Sequence, residues 1–158
     1  MRFLLTLLIF QFFTLNATEE RQAIFTPPEG WRIADAKILP KLVKFMAVGK
    51  GSHAVPPSMN LGFEPYSGTL KDYLKIIKDI NASQGDVWKD LGTITTESGP
   101  ASLSLVDVKT EWGIIRQMHL IYLDQGIIYI LTAAALSDEF PKFYNEFYRA
   151  FASFHIKK

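Results

Sequence analysis

Hydrophobic and polar residues recur along this 158-residue chain with the two periods that distinguish strands from helices. Met59, Leu61 and Phe63 alternate with polar or small residues, and this period of two predicts a half-buried strand. Shorter strands are predicted at residues 23–26 and 42–48, each of which is closed by residues that favour turns. The first half of the chain therefore contributes three strands.

The region from residue 87 to residue 134 predicts an antiparallel meander. Three turn signals divide it, namely Ser98-Gly99-Pro100, Trp112-Gly113 and Asp124-Gln125-Gly126. Turns this closely spaced leave no room for crossover helices. Residues 127–134 are nearly all apolar and predict a central strand that is buried on both faces. The apolar positions change phase between Leu105 and Val106, which predicts a β-bulge there.

Two amphipathic helices are predicted beside this sheet. The first begins after Thr69, an N-cap that Asp72 follows three residues later, and ends at Gln84-Gly85. The second begins near Ser137 or Asp138. It carries an aromatic stripe that we interpret as a core face, made of Phe140, Phe143, Tyr144, Phe147, Tyr148 and Phe151. Both helices are expected on one face, so the predicted class is α+β, an antiparallel meander with two helices packed on it.

The N-terminal segment has the three parts of a signal peptide: basic Arg2, an uncharged apolar run, and small Ala17 as the last residue removed. We expect residues 1–17 to be the signal peptide and residues 18–158 to form one domain. The alternative is an uncleaved membrane anchor, because Leu15 is larger than the usual residue three places before a cleavage site. Either reading predicts export to the periplasm or the extracellular space, most simply in a bacterial envelope.

Charge and residue content exclude several classes of function. Arg2 is the one charged residue of the signal segment, so 16 basic residues face 16 acidic residues in the rest of the chain. A balanced charge does not favour binding to nucleic acid. It also does not favour binding to a membrane beyond a weak surface contact. The chain has no cysteine, which excludes disulfides and thiolate chemistry. The three histidines lack metal-ligand spacing and no nucleophile elbow is present, so we predict no metal, no cofactor and no enzyme activity.

Three stretches carry a family resemblance. They are Phe25-Thr26-Pro27-Pro28-Glu29-Gly30-Trp31, the strand from Gly126 to Thr132, and the aromatic helix that closes on Ala152-Ser153-Phe154. With this order of elements, the chain resembles PsbP-like proteins: the PsbP extrinsic protein of photosystem II, a Ran-binding nuclear import factor, and small exported bacterial proteins of the DcrB type. The resemblance implies a non-catalytic accessory or binding protein and selects no ligand. A nuclear role conflicts with the signal peptide.

Two functions stay open at this point. The first is a monomeric, protein-binding accessory factor of the envelope, and the alternative is a carrier of a small apolar ligand or lipid, which needs a cavity under the aromatic helix. For the first, the predicted contact site is the loop of residues 49–57 with Lys50 and His53, beside a basic segment that includes Lys44. These side chains favour an acidic partner. Alternatively, the loop is a linker without contacts and the lysines protect an edge strand.

Overall fold

The computed structural model describes residues 21–51 and 53–157, so the predicted signal peptide lies outside the described residues. The helices are α1 (Leu70–Ser83) and α2 (Phe140–Ala152), with one 3₁₀ turn at Ala36–Ile38. The strands are β1 (Ala23–Ile24), β2 (Arg32–Ile33), β3 (Val43–Val48), β4 (Ser58–Pro65), β5 (Val87–Thr96), β6 (Gly99–Thr110), β7 (Gly113–Asp124), β8 (Ile127–Leu136) and β9 (His155–Ile156). In this described part of the chain, neither helix has the length and apolar character of a membrane span.

Seven of the strands form one antiparallel sheet in the order β2-β3-β4-β8-β7-β6-β5. Strands β5 to β8 are joined by consecutive hairpins, which confirms the predicted meander. Strand β8 lies at the centre of the sheet between β4 and β7, as its nearly continuous apolar sequence predicts. Strands β1 and β9 pair with each other and bring the two ends of the described chain together. The α+β class is confirmed.

The two helices lie on opposite faces of the sheet, which corrects the prediction that both pack on one face. Tyr129 and Leu131 of β8 belong to the cluster that packs against α2, whereas Ile128 packs with α1 and Ile130 lies against that second cluster. Successive side chains of a strand point to opposite faces. Because both faces of β8 are covered by a helix, apolar and polar residues do not alternate along it. The sequence of β8 therefore gives no sign of which face each helix covers.

The same double cover explains why the predicted bulge in β6 is wrong. Leu105 and Val106 pair in unbroken register with both neighbouring strands. Leu103 packs on the α2 face, and Val106 is 1% exposed, so its burial is on the other face. The change of phase is therefore a change of face within a regular strand. The register shift lies instead in β5, between Asp90 and Gly92, where Gly92 adopts a φ of 84°.

Helix α1 begins and ends where the sequence predicts. The Thr69 side-chain oxygen accepts a hydrogen bond from the Asp72 backbone N–H, which satisfies one of the free donors of the first turn. Gly85 follows the last turn with a φ of 78°, a left-handed conformation that glycine adopts without steric cost.

Helix α2 differs from its prediction in two ways. Its N-cap is Glu139, one or two residues after the expected Ser137 or Asp138. Tyr144 and Tyr148 are 38% and 41% exposed, so these two members of the aromatic stripe lie at its solvent margin. The stripe is thus a core face along one side only.

Aromatic side chains fill the space between α2 and the sheet. Phe147, Phe151 and Phe154 are fully buried. The Trp31 ring packs edge-on against Phe143 and Phe147, at centroid distances of 6.2 and 6.0 Å. Such pairs add about 0.5 to 1.5 kcal/mol beyond the burial of their area. The α2 face therefore supplies much of the apolar stabilisation of the fold.

Candidate functional site

A cavity of about 360 Å³ lies between α1 and the sheet. Ile77, Ile80 and Asn81 of α1 form one wall, and residues of β4, β8 and β7 form the floor. Small-molecule sites typically have volumes of about 300 to 1,000 Å³. The cavity therefore has the size of a small-molecule site.

The carrier hypothesis required a cavity under the aromatic helix, and the observed cavity lies on the opposite face. The difference follows from the sizes of the side chains. On the α2 face, Phe147 and Phe151 fill the space above the sheet. On the α1 face, aliphatic Ile77 and Ile80 stand over a part of the sheet that includes Gly62. Smaller side chains on both sides of the α1 layer leave the space that forms the cavity.

Cross-strand register places polar residues in one row across the cavity floor. Asn60 of β4 pairs with Thr132 of β8, and Thr132 pairs with His119 of β7. Ser104 of β6 continues the row beside His119. Directly opposed residues share a face of the sheet. Asn60, Thr132 and His119 therefore form a polar row, and Gln117 lines the cavity two residues from His119.

The next row of the floor is apolar. Gly62, Ile130 and Ile121 are opposed across β4, β8 and β7, and all three line the cavity beneath Ile77. A Cβ atom at Gly62 would lie 2.8 Å from the Leu42 carbonyl oxygen, so only glycine permits this close approach of the backbone. The floor thus has two halves, a polar row and an apolar row.

His119 is held in the uncharged state. Its Nδ1 lies 3.1 Å from the Thr132 hydroxyl oxygen, a hydrogen-bonding distance between neighbouring strands. Its ring is parallel to that of Trp88, with planes 3° apart and centroids 6.3 Å apart. Burial lowers its pKa to about 4. A neutral imidazole has one donor and one acceptor nitrogen, so Nε2 keeps the role that Nδ1 does not use.

The Trp88 ring is fixed by contacts that also reach α1. Its indole N–H donates to Asp90 Oδ1 at 3.0 Å, and Lys78 of α1 donates to Asp90 Oδ2 at 2.6 Å. The hydrogen bond from Lys78, followed by that from Trp88, lowers the pKa of Asp90. This chain of contacts ties α1 to the edge strand β5 beside the cavity.

At the other end of the cavity, the buried Tyr73 hydroxyl donates a hydrogen bond to the Glu64 carboxylate. Burial, and then this hydrogen bond, raise the pKa of Tyr73 far above its ordinary value. Among the described residues that line the cavity, Glu64 carries the only formal charge. The described residues also contain no group of three or more His, Asp or Glu side chains placed to hold a metal ion. The cavity is thus largely uncharged.

None of the three residues predicted to contact a partner is among the described residues that line this cavity. Lys50 and His53 are exposed on the loop of residues 49–57, and His53 Nε2 lies 3.9 Å from Asp138 Oδ2. Lys44 lies six residues before Lys50, on the order of 20 Å away along an extended chain. Its ammonium nitrogen is 5.3 Å from the centroid of the Phe63 ring. The fold therefore brings Lys50 and His53 to one loop but not Lys44, and their role stays a prediction.

The same loop is anchored at its ends. The Gly49 N–H donates to the Pro57 carbonyl at 2.8 Å. The Trp31 ring lies against Gly49, where a Cβ atom would be only 2.6 Å from Trp31 Cε2. These contacts fix the two ends of the loop within the fold, and whether the loop contacts a partner stays a prediction.

Sequence reasoning missed the cavity residues, although two signals were present. Thr132 interrupts the apolar run of β8, and Gln117 and His119 interrupt β7 at alternate positions. Polar residues in strands that are covered on both faces need a reason, because burying a polar group without a partner is unfavourable. A site on that face supplies one.

Two solved structures are similar to most of this chain. Cyanobacterial PsbP (CyanoP) from Synechocystis sp. PCC 6803 is 15% identical over 87% of this chain and 92% of its own, with a TM-score of 0.58. LpqN, described as involved in cell envelope biogenesis of Mycobacterium tuberculosis, is 14% identical over 87% and 84%, with a TM-score of 0.60. No protein-family model and no curated protein sequence matches. The structural similarities show that this chain has the PsbP-like fold.

Proposed function

We propose that this protein is a non-catalytic binding protein of the cell envelope that holds a small, largely apolar ligand between α1 and the sheet. The cavity of about 360 Å³ carries this proposal, because its size and its mainly apolar lining, which includes Ile77 and Ile80, fit such a ligand. Export is supported by the signal-like segment at residues 1–17. The envelope is supported by the fold shared with LpqN, which is described as acting in envelope biogenesis.

The position of α1 supports the cavity as a built feature of the fold. Tyr73 and Ile77 are the buried residues of α1, and both pack on the sheet. The hydrogen bond from Tyr73 to Glu64 and the ion pair from Lys78 to Asp90 fix the helix at two further points. These contacts hold α1 above the sheet while Ile80 and the residues after it line open space.

Binding of N-phenyl-1-naphthylamine tests the proposal, because this uncharged dye fluoresces strongly only in apolar surroundings. Ile80→Trp places a large ring in the cavity and is expected to weaken dye binding at least about tenfold. Ile76→Trp is the matched control, since Ile76 is 42% exposed one turn earlier on the same helix. We expect the control to bind like the wild type. Absence of binding by the wild type, or equal binding by both variants, would contradict the proposal.

The protein-binding function stays an alternative prediction for the loop of residues 49–57. Lys50 is exposed there, but Asp138 beside His53 offsets part of the positive charge. Recovery of envelope proteins on wild type and on Lys50→Glu/His53→Ala, at low and at moderate salt, tests it. An acidic partner should be lost from the variant and should bind less at moderate salt, because salt screens exposed charges. The same partners in the same amounts would remove the loop from consideration.

A further inference from the structure

The cavity floor has unused hydrogen-bonding capacity. Within the described part of the chain, the side-chain amides of Asn60 and Gln117 make no hydrogen bond to another described residue. His119 uses Nδ1 with Thr132 and keeps Nε2. An amide provides both donors and an acceptor, and the neutral imidazole nitrogen adds one more group. The cavity floor therefore offers a ligand several uncharged hydrogen-bond donors and acceptors.

The charge of the lining disfavours an ionised ligand. No lysine or arginine is among the described residues that line the cavity, so an anion would be held without an opposite charge. A cation could be paired only by Glu64, whose carboxylate already accepts the Tyr73 hydroxyl. Glu64 also stands four residues from Asn60 on β4, roughly 13 Å along the strand. The polar row therefore contains no ionised side chain that could pair with a charged ligand.

The two halves of the floor give the ligand a direction. The polar row of Asn60, Thr132 and His119 lies beside the apolar row of Gly62, Ile130 and Ile121. Ile77 and Ile80 of α1 provide further apolar surface. A molecule with one polar end and one hydrocarbon end can satisfy both halves at once.

We propose that the ligand is an uncharged amphipathic molecule whose hydroxyl or amide end hydrogen-bonds the polar row together with Gln117. Its hydrocarbon end lies between α1 and the apolar row. The proposal rests on the proposed function, and it adds the ligand's charge, its head-group chemistry and its orientation in the cavity.

Displacement of N-phenyl-1-naphthylamine by three compounds with the same decyl chain tests the head group. The competitors are 1-decanol, decanoate and decylammonium at neutral pH, below the concentrations at which they form micelles. We expect decanol to displace the dye at a concentration at least about tenfold lower than either ion. An uncharged competitor also partitions better into any apolar site, so variants must show where the preference arises.

The double variant Asn60→Leu/Gln117→Met removes the amides of the floor at nearly constant volume. Asn145→Leu/Gln22→Met makes the same changes at two exposed positions that do not line the cavity and is the matched control. We expect the floor variant to bind the dye but to need about tenfold more decanol for displacement, while the control behaves like the wild type. If the floor variant does not fold, Gln117→Met against Gln22→Met makes the same comparison.

The outcomes separate the two proposals. If the wild type does not bind the dye, the proposed function fails. If it binds the dye and Ile80→Trp abolishes binding, but either ion competes as well as decanol, the ligand is not selected for being uncharged and this inference is overturned. Equal decanol competition in the floor variant and its control would overturn the assignment of the head group to the polar row.

Discussion

The imidazole of His119 makes the stability of the fold depend on pH, and its replacement tests the geometry of the cavity floor. Its Nδ1 bonds the Thr132 hydroxyl, and burial lowers its pKa to about 4, whereas a histidine in the unfolded chain has a pKa near 6.5. His119→Asn places an amide near the position of Nδ1. The variant has no group at this position that titrates between pH 4 and pH 7.

The sign of the effect follows from proton binding. Between pH 6.5 and pH 4 the unfolded chain holds a proton on His119 and the folded chain does not, so stability falls as the pH falls through this window. The difference between the two pKa values corresponds to about 3 kcal/mol. About 2 kcal/mol of this is lost between pH 7 and pH 4.5. The asparagine variant lacks this loss.

Urea unfolding of both proteins at pH 7 and at pH 4.5 measures the difference. With a denaturant dependence of about 1 to 3 kcal/mol per molar urea, the wild-type midpoint should fall by about 1 M more than that of the variant. Hydrogen bonds, from Thr69 to Asp72 and from Lys78 to Asp90, lower the pKa of each carboxyl. Both pairs are present in both proteins and cancel in the comparison. Equal losses in the two proteins would refute the burial of His119 as a neutral group.

Three further outcomes are expected. Phe147→Ala should cost about 3 to 5 kcal/mol of unfolding free energy because the ring is fully buried, whereas Tyr148→Ala, at 41% exposure, should cost clearly less; equal urea midpoints would contradict the core role of the stripe. Gly49→Ala should cost about 1 to 3 kcal/mol because its Cβ meets the Trp31 ring at 2.6 Å, and an unchanged thermal midpoint would contradict this packing. Mass spectrometry of the exported protein should find Thr18 first, whereas full-length chain in a membrane fraction would identify an anchor.

Most of the strands and their order along the chain could be predicted because turn residues are local signals, but the two-residue strands β2 and β9 were not predicted. Gly99 and Gly126 have φ values of 113° and 77° at two of the three predicted turns. Glycine tolerates these conformations, so its position marks where the chain reverses. The cap at Thr69 is equally local. Features of this kind depend on a few consecutive residues and are readable without the fold.

The faces taken by the helices could not be predicted in this way. Ile128 and Tyr129 are neighbours in sequence and both are apolar, yet one packs with α1 and the other with the α2 cluster. A sheet covered on both sides has no polar face to give its strands an alternating pattern. The prediction of a bulge between Leu105 and Val106 was wrong for the same reason. In a sheet with one exposed face, such a change in the apolar phase would indicate a bulge.

The candidate site was missed because register, not sequence proximity, assembles it. Asn60, Thr132 and His119 come from three strands, and only the pairing of β4 with β8 and of β8 with β7 aligns them. Reading along the chain instead favoured Lys50 and His53, which stand close together in one loop. A slip of one residue in either pairing would move a member of the polar row to the other face. The site therefore could be found only once the register was known.

The two faces of the sheet differ in how their side chains pack. On the α2 side, large aromatic side chains such as Phe147 and Phe151 fill the space above the sheet, and their packing stabilises the protein. On the α1 side, smaller residues and a polar row give up part of that packing. Interiors are normally packed as densely as organic crystals, and buried polar groups are normally paired. The α1 face combines a cavity with polar side chains on its floor, whereas aromatic packing on the α2 face stabilises the fold. A binding function is therefore expected on the α1 face.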